Sequence, residues 1–343
     1  MQTSETAAPA LRFDEFGRGF HYLTERVERL VFGKRPQVRR ALLCLVAGGH
    51  LLLDDVPGVG KTTLARALAS VLEDGTTTRI QGTPDLLPSD IVGTSVYERD
   101  TGRFTFRPGP IVANIVLFDE INRCAPRSQS ALLEAMQERR VTAFRHEERL
   151  PDPFMVIGTQ NPQESLGTYP LPEAQLDRFL LRLTLGYPDR GPAREMLKAH
   201  GSGAPAAPGP GLPAAHLRAM TEYAAAVIVT DPVYDFLLDI VDATRDHPEI
   251  ALGASPRAGV DLLRAARVNA LLRPDATEPD DDPPFLRPDD IRDIAVDVLA
   301  HRIVLADRGT RASTAAQREV LKRLVAQVPA PQQPAVRQRR FRG

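Results

Sequence analysis

Short unbroken apolar runs alternate with longer amphipathic stretches through the first half of the chain. Ala41 to Asp54 passes from a helical pattern into His50-Leu51-Leu52-Leu53, and Ile115-Val116-Leu117-Phe118, Phe154-Met155-Val156-Ile157 and Leu180 to Leu185 are runs of the same kind. Such runs, with no polar alternation, predict strands buried on both faces, as in a parallel sheet. Thr62 to Leu72 and Ser128 to Arg139 carry helical spacing. The alternation predicts an α/β fold, a parallel sheet wrapped by helices. Two segments break it. Ser95 to Phe106 alternates around Asp100-Thr101-Gly102 and predicts a β-hairpin, and Arg140 to Leu150, which alternates less cleanly, predicts a second.

The pattern changes at Gly201 to Pro213, which is mostly Gly, Ala and Pro and predicts a linker without a packed core. Helical spacing then dominates over Ala214 to Val229, Asp231 to Arg245, Pro256 to Leu272 and Pro288 to Leu305, with Pro232 and Pro256 suited to first turns. The expected organisation is a sheet domain with an N-terminal helix over 1–200, a linker over 201–213, a helical domain over 214–328 and a basic, disordered tail over 329–343. Thr277 to Pro284, with Asp280-Asp281-Asp282, reads as an exposed acidic loop.

Composition narrows the setting. The 343 residues are 43% apolar and 25% charged, which suits a globular protein with a sizeable core. The formal net charge of -1 provides no overall basic field for nucleic acid or an anionic membrane. No apolar stretch is long enough to span a bilayer, and Met1 to Leu11 lacks the apolar centre of a signal peptide. With two cysteines, Cys44 and Cys124, and no metal-ligand spacing, a cytoplasmic protein with free thiols is expected.

The candidate chemistry lies at the ends of the apolar runs. His50 to Asp54 leads into Asp55-Val56-Pro57-Gly58-Val59-Gly60-Lys61-Thr62-Thr63 and then a helix. A strand, a Gly-rich turn and a helix opening on Lys-Thr form a phosphate cradle: Gly58 and Gly60 let backbone N–H groups turn inward, and Val59 and Thr63 complete the loop and first turn. Lys61 would reach the β- and γ-phosphates of ATP, and the Thr62 hydroxyl would ligate Mg²⁺. Asp55 stands where this motif has its first Gly, and its carboxylate would repel a triphosphate unless turned away or paired. The second run ends in Phe118-Asp119-Glu120, where Asp119 would hold Mg²⁺ through water and Glu120 would polarise the attacking water. The third ends in Gly158-Thr159-Gln160-Asn161-Pro162, which brings Asn161 to the same carboxyl edge of the sheet. Arg178, before the fourth run, and Arg257, opening a helix of the second half, are candidate contacts for phosphoryl charge.

These motifs, together with Leu117 to Arg123, Ser130 to Glu138, Leu171 to Phe179 and Ala251 to Arg257, resemble the MoxR-family AAA+ ATPases over roughly Phe20 to Leu305. The resemblance implies an α/β nucleotide-binding domain followed by a helical lid. It also implies that Asp119 and Glu120 are the Walker B pair, Asn161 is sensor 1 and Arg257 is sensor 2. Arg178 becomes an arginine finger acting in trans in a hexameric ring, the hairpins become the inserts of that clade, and Val31-Phe32-Gly33-Lys34 becomes the adenine contact. A chaperone-like remodelling role beside a von Willebrand factor A domain partner is implied as well; no motif names the client. A nucleic-acid-acting member of the wider clade is an alternative, since Arg99, Arg103 and Arg107 interleave with Tyr97, Phe104 and Phe106 in the first hairpin. Further alternatives are a scaffold that binds ATP without turning it over, and a metal-chelatase subunit.

Overall fold

A computed structural model describes residues 11–56, 58–143, 146–161, 167–201, 209–273, 284–306 and 314–331. The first half opens with helices α1 (Phe13–Glu28) and α2 (Arg35–Val46) and continues through β1 (Leu51–Asp54), α3 (Lys61–Ala69), β2 (Thr77–Gln81) and α4 (Pro88–Val92). Next come β3 (Gly93–Glu98), β4 (Arg103–Pro108), β5 (Ile115–Asp119), α5 (Pro126–Glu138), β6 (Arg140–Ala143), β7 (His146–Arg149), β8 (Met155–Gln160), α6 (Glu173–Leu176), β9 (Leu181–Leu183) and α7 (Arg190–Gly201). The second half comprises α8 (Ala214–Ala225), α9 (Asp231–Asp246), β10 (Ile250–Leu252), α10 (Pro256–Leu271), α11 (Pro288–Leu299), β11 (Val304–Leu305) and α12 (Thr314–Gln327).

Five parallel strands form the main sheet in the order β2-β5-β8-β1-β9. Every residue of β1 and β5 is buried, as their unbroken apolar runs require. One side of the sheet is covered by α1 and α2; Phe16, Phe20, Leu23 and Val27 of α1 recur at helical spacing on one buried face. Leu132, Leu133 and Met136 of α5 belong to the core on the other side. The order places β8 between β5 and β1, so three carboxyl ends that carry candidate chemistry are neighbours.

The two hairpins form as expected. β3 pairs with β4 with Val96 opposite Thr105, and β6 pairs with β7 with Val141 opposite Glu148. The helical region departs from expectation in one place. The helix predicted to reach Leu305 ends at Leu299, a tight turn buries His301 and Arg302, and Val304–Leu305 pairs with Ile250–Leu252 as a small antiparallel ribbon. The stretch read as an unpacked linker is also anchored where it is described. Leu212 donates its N–H to Val71 O at 2.7 Å and accepts from Glu73 N at 3.0 Å, while Pro210 O accepts from Arg26 Nη1 at 2.8 Å and Tyr22 Oη at 2.6 Å. Most of the acidic loop and of the basic tail lies outside the described residues. Among those described, no helix is long and apolar enough to cross a membrane.

Candidate nucleotide site

Asp54 ends β1, and the loop to α3 turns through Gly58 (φ 83°) and Gly60 (φ 95°), both in the left-handed region that a side chain disfavours. Lys61, Thr62 and Thr63 form the first turn of α3, with Val59 and Gly60 partly buried beside them. The Lys61 ammonium donates to two backbone carbonyls, Asp55 O at 2.5 Å and Gln160 O at 2.8 Å, and so ties the loop to the end of β8. Burial lowers the Lys61 pKa, and the nearby carboxylates of Asp55, Asp54, Asp119 and Glu120 oppose that shift. Lys61 and the β5 carboxylates therefore share one electrostatic neighbourhood.

Asp55 is turned away from the phosphate cradle. Its Oδ2 accepts the N–H groups of Leu185 (2.8 Å) and Gly186 (2.6 Å), and its Oδ1 accepts that of Val56 (2.8 Å). Its charge is spent on fastening the loop to the segment after β9. Next to it, Asp54 pairs with Arg182 of β9.

Asp119, the last residue of β5, is buried and fully engaged. Its Oδ1 accepts from Thr159 Oγ1 at 2.8 Å, and its Oδ2 accepts from Arg79 Nε at 3.0 Å and Nη2 at 2.8 Å. Glu120 follows with φ 54° and ψ 50°, a left-handed conformation that costs a non-glycine residue on the order of 1 kcal/mol. Its N–H donates to Thr159 Oγ1 at 3.0 Å, and its Oε2 accepts from Gln81 Nε2 at 2.9 Å and Arg123 Nη1 at 3.0 Å. Gly82 donates to Asp119 O at 2.7 Å, and a Cβ at Gly82 would lie 2.2 Å from Glu120 O, so only glycine allows β2 to close over this turn. Asn161 is buried immediately after β8, on the same edge.

Arg178 and Arg257 form a second group. Burial lowers the pKa of Arg178 and the positive charge of Arg257 lowers it further, while Glu134, Asp177 and Glu138 oppose. The two arginines are therefore electrostatic neighbours, although one precedes β9 and the other lies in the first turn of α10. A hydrogen bond joins their supports: Ser255 Oγ lies 3.0 and 2.9 Å from the two oxygens of Asp177 and also accepts the N–H of Ala258 as the N-cap of α10. The fully buried Arg302 completes the junction, 2.7 Å from Asp261, 3.4 Å from Asp177, and donating to Phe179 O.

Sequence reasoning missed Arg79, Gln81, Arg123 and Thr159. A signal existed for Thr159, which lies two residues before Asn161 on a period-two strand. Arg79 and Gln81 were missed with β2 itself, an edge strand in which Ile80 is the one fully buried residue.

A family model described as "ATPase family associated with various cellular activities (AAA)" matches residues 50–181, and an AAA lid domain model matches residues 242–324. The chain is 41% identical over 288 residues to Chaperone MoxR1 of Mycobacterium tuberculosis, covering 81% of this chain and 74% of that protein. This chain belongs to the MoxR family of AAA+ ATPases. It is also 45% identical over 282 residues to YeaC of Bacillus subtilis, covering 82% of this chain and 85% of that protein. A crystal structure of a protein from Cytophaga hutchinsonii superposes on the MoxR-type fold with a TM-score of 0.81 at 32% identity, covering 93% of this chain and 97% of that one.

Proposed function

We propose that this MoxR-type AAA+ protein hydrolyses ATP at the carboxyl edge of β1, β5 and β8, as a hexameric ring that remodels a protein partner in the cytoplasm. The observation that carries the reading is the convergence of Lys61, Asp119 and Glu120 on one edge, with the Lys61 ammonium held between the phosphate loop and the end of β8. In that place Lys61 exchanges a carbonyl partner for the β- and γ-phosphates. The N–H groups of Gly58 to Thr63 supply the rest of the cradle at the start of α3.

The Thr62 hydroxyl and the Asp119 carboxylate fit Mg²⁺. They are hard oxygen donors, few in number, as that ion uses when phosphates complete its shell, and Asp119 already holds a cation in the form of the Arg79 guanidinium. When bound, Mg²⁺ offsets the phosphate charge. Glu120 accepts the proton of the attacking water, and Gln81 and Arg123 hold its carboxylate meanwhile. Asn161 orients the water or a γ-phosphate oxygen. Arg257 reads the γ-phosphate from the lid, and Arg178 stabilises transition-state charge on the ATP of the neighbouring subunit. The partner class we favour is a protein carrying a von Willebrand factor A domain.

Two variants test the site. Lys61→Ala should lose tight ATP binding by calorimetry. Glu120→Gln should keep it while turnover falls by about 10² to 10⁴-fold, the usual worth of a general base. Normal affinity in the first, or normal turnover in the second, would remove that residue from its role.

A further inference from the structure

Both oxygens of the candidate metal-binding carboxylate are held by this chain's own groups. Thr159 Oγ1 takes Asp119 Oδ1, and the Arg79 guanidinium takes Oδ2 through Nε and Nη2. The same Nη2 donates to Gln81 Oε1 at 3.1 Å, and the other end of that amide holds Glu120 Oε2 at 2.9 Å. One guanidinium thus neutralises Asp119 and also steadies the group that restrains Glu120. Half of the Arg79 side chain is exposed, at 50%, against 10% for Asp119. The guanidinium can swing from Asp119 into water at little desolvation cost, whereas the buried carboxylate must keep some positive partner.

We propose that Arg79 is a positioning residue, the resident counter-ion of Asp119. It neutralises the carboxylate while no metal is bound and yields it when Mg²⁺ arrives with ATP. Free ATP finds Asp119 already neutralised, which limits the repulsion between carboxylate and triphosphate. The proposal rests on Asp119 being the metal-holding carboxylate.

The test is the affinity of the full-length protein for a non-hydrolysable ATP analogue, measured by calorimetry with Mg²⁺ and again in EDTA. The ratio of the two affinities reports how strongly metal and nucleotide are coupled. Arg79→Gln removes the competing cation and leaves Asp119 unneutralised when metal is absent. Both effects widen the ratio, by about tenfold for one partly screened charge at contact distance. Arg79→Lys keeps the charge and should hold the ratio near that of the wild type, which a purely packing role for the side chain does not predict. An unchanged or narrowed ratio in Arg79→Gln overturns the proposal. So does a loss of affinity of the same size in both conditions, which would make Arg79 a phosphate ligand instead. Asp119→Asn checks the underlying reading: it should collapse the ratio in the wild type and in Arg79→Gln alike. If it does not, Asp119 is not the metal carboxylate, and that failure is separate from an Arg79 result obtained while Asp119→Asn does collapse the ratio.

Discussion

Asp55 shows how one side chain changes meaning between sequence and structure. In the sequence it is an acidic residue where the phosphate loop expects glycine, a source of repulsion. In the structure it accepts three backbone N–H groups, two of them from the segment after β9, and works as a strap between that segment and the phosphate loop. Truncating a buried, hydrogen-bonded carboxylate leaves its donors unpaired, at about 1–3 kcal/mol. Asp55→Ala should lower stability by that amount in urea denaturation, and Asp55→Asn, which keeps an acceptor, should recover part of it. A neutral Asp55→Ala would show that the strap contributes nothing. Asp119 and Glu120 were legible because an apolar run ended on them. Their partners Arg79 and Gln81 were not, because a contact between neighbouring strands has no local signature until strand order is known.

Elements were legible in proportion to their burial. β1, β5 and β8 could be read because a strand covered on both faces must be apolar throughout, whereas β2, an edge strand with one fully buried residue, resembles a loop in sequence. The ribbon of β10 and β11 was hidden for another reason: Ala300 to Arg302 continue a helical pattern, and tertiary contacts of His301 and Arg302 with Phe179 end the helix. The same junctions set a pH dependence. His50 joins three elements, accepting the N–H of Val156 on β8 through Nδ1 and donating from Nε2 to Met136 O of α5, just before β1. Burial lowers its pKa from 6.5 to about 3, and burial also holds His301 well below its ordinary value. Each is neutral in the fold, so its contribution is complete above pH 6.5 and is lost as pH falls toward the folded value. Asp290 acts oppositely: burial raises its pKa from 3.8 to about 6, so protonation below that value relieves a penalty. From pH 7 to pH 5 His50 costs about 2 kcal/mol and Asp290 returns about 1, and His301 adds a further loss in the same direction as His50, so the protein is less stable at pH 5. Denaturation at the two pH values checks this, and equal stabilities would mean that the histidines are not held neutral.

At the scale of the whole molecule, one of the contacts between the sheet edge and the helical lid joins Asp177 to Ser255. Each of the two lies within two residues of an arginine assigned to a phosphate, Arg178 or Arg257. On the proposed roles, a lid that responds to its own nucleotide through Arg257 would move the support of Arg178, which the ring reading aims at the next subunit's ATP. The central claim is that each site is completed by its neighbour, and mixing two inactive proteins tests it most directly. Arg178→Ala keeps Lys61, Thr62 and Glu120, so it should bind ATP yet lose about 10³ to 10⁵ in rate, the usual worth of an arginine finger. Glu120→Gln keeps Arg178 and should be almost inactive for a different reason. Differently tagged forms that co-purify establish that subunits exchange, and a titration of wild type with Arg178→Ala that falls in proportion, without steep poisoning, establishes that sites fire independently. Under those conditions the account predicts that hydrolysis by the mixture rises well above either protein alone, because some interfaces pair an intact Glu120 with a neighbour's intact Arg178. Hydrolysis that stays flat at every mixing ratio would contradict it.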